Sequence, residues 1–230
     1  MPVTLLRYTP NPELTIATAA RLCYSDASAA QLSQKLSDSQ VERLLAHVIA
    51  SGHHSTLEHV SFTFALDGLS RAASHQLVRH RLASYSQQSQ RWVAFVKADY
   101  VIPPSIAAVP ALKKAFQERA EAAFSLYRQL LEAGIPAEDA RYLLPNAITT
   151  RLVMTMNARE LIHVCSLRLC RRAQWEIRSL FEDVRAEVER VAPRIAAHLQ
   201  PKCIPLGYCD EGERECCGLM PPRSEVLPGS

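Results

Sequence analysis

Arg79-His80-Arg81-Leu82-Ala83-Ser84-Tyr85-Ser86-Gln87-Gln88-Ser89-Gln90-Arg91 packs three arginines, one histidine, three serines and three glutamines into thirteen residues. Only Leu82, Ala83 and Tyr85 suit a core. A segment this polar strands donors on burial unless a partner satisfies them. Guanidinium forks beside hydroxyl and amide groups suit an anionic, oxygen-rich ligand, with phosphate fitting best. The bland alternative is a solvated loop carrying surface arginines. The flanking sequence argues against it, because an apolar strand and an amphipathic helix precede the stretch. Sites are usually built where a loop leaves rigid elements.

The strand before it reads Val60, Phe62, Phe64, Leu66, alternating with Ser61, Thr63 and Ala65, which is a strand with one buried face. Leu69 to Val78 reads as the helix. Further back, Val3–Tyr8 is expected as a strand and Glu13–Tyr24 as a helix, with Leu14, Ala17, Ala20 and Cys23 on one side. Residues 25–37 carry no clear pattern. Asp38 or Ser39 caps a helix holding Val41, Leu44, Leu45, Val48 and Ile49, and Gly52 ends it.

Downstream, Tyr100–Pro104 is an extended exit stopped by prolines. Ile106–Ala133 is expected to be helical, with Leu112, Phe116, Ala123, Tyr127 and Leu130 as its stripe. Gly134 caps it, and Pro136 opens a short helix containing Arg141. Ile148–Met156 alternates as a second strand. Asn157 then caps a basic helix over Ala158–Arg171, with Glu160 completing a capping box. Ala173–His198 is a long helix that Pro193 bends or interrupts. The fold class is α+β: one domain with a central mixed or antiparallel sheet and packed helices. Residues 1–200 are expected to form the main domain, and residues 201–230 a Cys- and Pro-rich tail.

The chain has 230 residues, 48% of them hydrophobic and 21% charged, with a net charge of +3. That charge is too small to argue for nucleic acid by itself. The basic residues instead cluster at 79–91 and 168–172, which favours a local anionic site. No apolar run reaches the length of a bilayer span. Met1–Arg7 lacks the charged and apolar regions of a signal peptide, so a cytoplasmic location is expected. The seven cysteines then read as thiols or metal ligands rather than disulfides.

His53-His54-Ser55-Thr56-Leu57-Glu58-His59 invites a metal reading. Its spacing, on a turn entering a strand, lacks the usual zinc signatures. A ligand-facing loop, or histidines bonded locally, accounts for it. Cys203, Cys209, Cys216 and Cys217 crowd the C-terminus, but their spacing departs from paired zinc ligands, and no metal is assigned.

Arg79-His80-Arg81, seven residues, then Ser89-Gln90-Arg91 resembles the signature of the flavin-dependent thymidylate synthases. Gly52-His53…Glu58-His59, Arg141-Tyr142-Leu143-Leu144-Pro145, Asn157-Ala158-Arg159-Glu160-Leu161, Ser166-Leu167-Arg168 and Ala173–Arg178 follow that family's order. The likeness covers most of residues 50–180.

The resemblance implies reductive methylation of dUMP to dTMP. Methylenetetrahydrofolate supplies the carbon, FAD carries hydride and NADPH reduces it. It implies a homotetramer with active sites at subunit interfaces, and no nucleic-acid or membrane partner. The matching positions place Arg79, His80, Arg81, Asn157, Arg159 and His163 on FAD, with His53 and Ser55 beside the flavin. Gln76, Arg79, Ser89, Gln90, Arg91, Arg141 and Arg168 fall on dUMP, and Gln87 and Gln88 near both ligands. Gln87 is a glutamate in some members. Arg168 is the catalytic candidate: a fixed cation at the uracil edge drives electron density toward C5.

Cys165 and Cys170, near Arg168, Arg171 and Arg172, are the candidates for a competing thiolate mechanism. They also occupy packing positions, and the family has no equivalent nucleophile, so both read as structural. Arg159 and Arg168 lie nine residues apart, about 180° around a helix, and cannot share a face. Two other functions compete: a nucleic-acid-binding module using the arginines, and a metal-dependent hydrolase built on His53, His54, Glu58 and His59.

Overall fold

A computed structural model describes residues 2–95 and 97–227. The first residue of the domain assigned above and the last three of the tail lie outside the described residues. In chain order the elements are β1 (Val3–Tyr8), α1 (Pro12–Leu22), α2 (Ala29–Lys35), α3 (Asp38–Ala50), β2 (Ser61–Ser70), α4 (Arg71–Leu77) and β3 (Ala83–Gln87). There follow α5 (Pro104–Ala107), α6 (Pro110–Glu132), α7 (Ala137–Ala140), β4 (Thr149–Asn157) and α8 (Ala158–Arg168). The chain continues through α9 (Trp175–Glu189), α10 (Pro193–Ala196), α11 (Cys203–Leu206) and α12 (Arg223–Val226). The four strands form one antiparallel sheet in the order β1-β2-β4-β3, and the fold class is α+β.

The two central strands are those whose alternation is strongest. In β2, Phe62, Phe64 and Leu66 are fully buried; in β4, Thr150, Leu152, Met154 and Met156 are. Each phenylalanine contributes roughly 1.5–3 kcal/mol through burial alone.

Two compact units are distinguished. In the first (Pro2, Leu66–Arg79 and Tyr85–Val153), α6 packs against α5, α7 and the 3₁₀ turn Arg141–Leu143. Ala120, Phe124 and Tyr127 are its buried stripe. In the second (Val3–Ala65, His80–Ser84 and Met154 onward), α9 packs on β1. There α8 packs against α9 and the 3₁₀ helix His54–His59, and α1 against α2 and α3.

Several expectations require correction. In α1 the buried face is Pro12, Glu13, Ile16 and Ala17, while Cys23 is exposed. The unpatterned 25–37 segment holds α2, whose Ser28 makes a full capping box with Gln31. Ser37, not Asp38 or Ser39, caps α3. Leu69 belongs to β2, because Ser70 Oγ accepts from Ala73 N and α4 starts at Arg71, two residues later than expected.

The helix expected over 106–133 is two helices, since Pro110 opens α6 afresh, and Leu112 is 57% exposed. The basic helix stops at Arg168 rather than Arg171. Gln174 Oε1 accepts from Ile177 N at 2.8 Å to start α9, which requires a break before it. Of the two effects expected of Pro193, it interrupts the helix: α9 ends at Glu189 and Pro193 starts α10. The central stretch is not all loop: Ala83–Gln87 is the edge strand β3.

Candidate active site

The capping chemistry of α8 builds the larger cleft. Asn157 Oδ1 accepts from Glu160 N at 2.8 Å, which fixes the helix start and leaves the amide nitrogen of Asn157 as a donor. The helix N-terminus favours an anion there. Residues 159, 162, 163 and 166 share the face that lines a cleft of ≈ 1030 Å³. Arg81, Leu82, Ala83 and Ser84 form another wall, with Glu58 and His54. The volume lies at the upper end of small-molecule sites. Arg159 Nη1 lies 2.5 Å from Glu58 Oε1, so an arriving anion competes with a carboxylate. Burial pushes the Glu160 carboxyl up, with His163 opposing.

Arg168 does not line this cleft. Its Nε donates to Nε2 of His80 at 2.9 Å, and His80 is 8% exposed. Burial first, then Arg168, then His163, lower the imidazole pKa to about 4. His80 is therefore a neutral acceptor, and both terminal nitrogens of Arg168 remain available for a planar partner.

The nucleotide-binding candidates lie mainly in the first unit. Gln87 Nε2 donates to Ser74 Oγ at 3.0 Å and Thr150 Oγ1 at 3.2 Å, which leaves its carbonyl oxygen to accept. Arg91 Nε meets Glu138 Oε2 at 2.8 Å, and Arg141 Nε meets the Glu138 carbonyl at 3.0 Å. Glu138 thus draws two guanidinium groups together. Ser89 Oγ accepts from Arg91 N at 3.1 Å, and Gln88 N donates to Arg151 O at 2.9 Å. Gln76 lies in the last turn of α4 and Arg79 two residues beyond its end, and Gln90 is half-buried.

Sequence reasoning missed Arg71. Its pKa is lowered by burial and then by Arg141, so two like charges are held close, an arrangement that suits a phosphate. Nothing in the sequence signals this, because the pairing depends on the tertiary fold.

His53 and Ser55 line a separate pocket of ≈ 280 Å³ with Tyr24, His47 and Cys23, rather than the larger cleft. Cys165 is fully buried and its thiol is pushed far above the ordinary value by burial, the opposite of nucleophile activation. Among the described residues, no group of three or more His, Cys, Asp or Glu is arranged to hold a metal ion as it stands. None of the described helices is long and apolar enough to cross a membrane.

An α+β chain with separate arginine-bearing donor sets has the equipment of a nucleotide-handling enzyme. The comparisons narrow that class. The family model described as thymidylate synthase complementing protein matches residues 4–194. A flavin-dependent thymidylate synthase of Geobacter sulfurreducens is 50% identical over 218 residues, 94% of each chain. One of Nitratidesulfovibrio vulgaris is 45% identical over 237 residues, 97% of each. The crystal structure of a UMP/dUMP methylase PolB from Streptomyces cacaoi, bound with 5-Br dUMP, superposes with a TM-score of 0.78. It is 25% identical and the match covers 86% of this chain and 93% of that one. The chain belongs to the flavin-dependent thymidylate synthase family.

Proposed function

We propose that the chain converts dUMP to dTMP by FAD-dependent reductive methylation, with methylenetetrahydrofolate as carbon donor and NADPH as reductant. The observation that carries this reading is Arg168, pinned through Nε by a neutral His80 with its terminal nitrogens unclaimed by that bond. Such a group remains protonated, engages two adjacent acceptors of a uracil edge and favours negative charge there. Electron density at C5 rises without any proton passing through arginine.

The cleft on α8 fits a dinucleotide in size and donor set. Arg81, Asn157, Arg159 and His163 would hold FAD there; Arg79, His80 and Gln87 enter the FAD set on the family's pattern and not as lining of this cleft. His53 and Ser55 approach from their own pocket. The flavin supplies the hydride when bound, and the protein supplies position and charge. Arg71, with Gln76, Arg79, Gln87, Gln88, Ser89, Gln90, Arg91 and Arg141, serves the nucleotide and its phosphate. The working form is a cytoplasmic homotetramer with active sites at subunit interfaces.

A metal-dependent hydrolase built on His53, His54, Glu58 and His59 has less support, because Glu58 already faces Arg159.

The test is a visible spectrum of the purified protein combined with dTMP formation from dUMP. Oxidised-flavin bands and turnover requiring both NADPH and the folate are expected. A colourless protein that forms no dTMP after FAD addition would overturn the reading. Strongly salt-dependent oligonucleotide binding by that protein would favour the nucleic-acid alternative.

A further inference from the structure

Five of the seven cysteines gather beyond the end of α8. Cys170 follows that helix, Cys203 opens α11, and Cys209, Cys216 and Cys217 lie on the segment after it. Cys203 and Cys209 are 6% and 7% exposed. The neighbours that raise the Cys203 thiol, after burial, are Cys170, Cys209 and Cys217. Those four line one enclosed cavity with Lys202 and Met220. Its volume is ≈ 10 Å³, room for a single water-sized guest. All are free thiols.

The backbone is arranged to hold this cluster. Lys202 N donates to Ser166 O at 3.0 Å, tying the segment to α8. Cys209 N donates to Pro221 O at 2.7 Å, and Arg223 N to Cys209 O at 3.0 Å. Gly218 N donates to the sulfur of Cys216 at 3.4 Å, with Gly218 at a φ of 72° that favours glycine. Cys216 in turn donates its S–H to Met220 O at 3.4 Å, which holds it as a thiol outside the set of four. The nearby carboxylates are already engaged: Asp210 and Glu211 by Lys202 at 3.1 and 2.7 Å, and Glu215 by Arg172.

We propose that Cys170, Cys203, Cys209 and Cys217 bind one zinc ion, which staples the C-terminal segment to the end of α8. Soft thiolates in a tetrahedral set select zinc. Loading requires the thiols to turn inward from their present positions, since no three yet surround a common point. Four S–H bonds break, four Zn–S bonds form and four protons leave. The zinc-tetrathiolate site carries a net charge of −2, and Lys202 beside it balances the neighbouring Asp210 and Glu211 rather than the thiolates. Cys170 is the ligand that C-terminal spacing alone does not reveal, because it comes from a different part of the chain. A segment with so little apolar burial of its own is the kind that needs such a staple.

The test uses the full-length flavin-replete protein, loaded with zinc alone and then gel-filtered. One zinc per chain is expected, released on titration with an organomercurial thiol reagent. Cobalt replacing zinc should give thiolate-to-cobalt charge-transfer bands in a difference spectrum against the zinc form. The double variant Cys203→Ser with Cys209→Ser should lose the metal, and Cys23→Ser should retain it. Absence of bound zinc, a disulfide among these cysteines in the native protein, or unchanged zinc in the double variant would overturn the proposal. If the double variant does not fold, the wild-type cobalt spectrum decides alone: absence of the charge-transfer bands rejects thiolate ligation.

Discussion

Arg168 donates Nε–H to Nε2 of His80 across 2.9 Å. The bond joins the last turn of α8 to the residue at the centre of the Arg79-His80-Arg81 motif. It forms only while His80 is neutral with its proton on Nδ1.

This makes the arrangement acid-sensitive. His80 has a folded pKa of about 4, below its ordinary 6.5, because of burial, Arg168 and His163. Between these values the unfolded chain binds the extra proton more readily than the folded one. The contribution to stability is therefore complete above pH 6.5 and is lost as pH falls toward 4. Denaturation midpoints measured across that window should fall with acid, and less so in His80→Gln, which retains an acceptor that does not titrate. Identical slopes in both proteins would remove His80 as the cause.

Glu58 competes with ligand for Arg159. Glu58→Gln should cost under ~1 kcal/mol of stability, as for other exposed pairs. It should also tighten FAD binding several-fold, measured by equilibrium dialysis. Weaker binding would mean that the carboxylate orients Arg159 instead of occupying it.

Asn157 has two separable tasks. Asn157→Asp keeps the oxygen that accepts from Glu160 N but loses the donor nitrogen and adds a charge. Thermal stability should stay near wild type while FAD affinity drops. Asn157→Ala should lose about 1 kcal/mol of stability as well. If Asn157→Asp binds FAD normally, the side chain is only a cap.

How much of this was legible in sequence depended on where the signal was local. β2 and β4 announce themselves because one face is buried at every second residue, and Asn157 caps α8 as its side-chain type predicts. β3 was missed because its alternation is weak: Ala83, Tyr85 and Gln87 are only half-buried between exposed Ser84 and Ser86, and Gln87 puts a polar group on the covered side. The helix beginning at Ala29 was missed because Leu32 is its only buried residue. The RHR motif and Ser89 were visible as a set, but their partition was not. Arg71 beside Arg141, and Cys170 beside Cys203, are tertiary pairings that no local pattern encodes.

Arg71 is a testable consequence of that gap. Arg71→Ala should raise the KM for dUMP about tenfold or more, in line with ~1.5–3 kcal/mol for a hydrogen bond to a charged group. Flavin occupancy should not change. Steady-state kinetics with varied dUMP would decide, and an unchanged KM would place Arg71 outside the phosphate site.

Arg168→Lys tests the account most directly, because lysine keeps the charge but loses both the Nε–H to His80 and the planar fork. The measurement is dTMP formation alongside NADPH-dependent flavin reduction, with the exposed Arg171→Lys as control. The account predicts that Arg168→Lys forms dTMP at least ~100-fold more slowly, the scale of losing one preorganised charge-stabilising donor. It also predicts that flavin reduction persists and that Arg171→Lys stays near wild type. Near-normal dTMP formation by Arg168→Lys would contradict it.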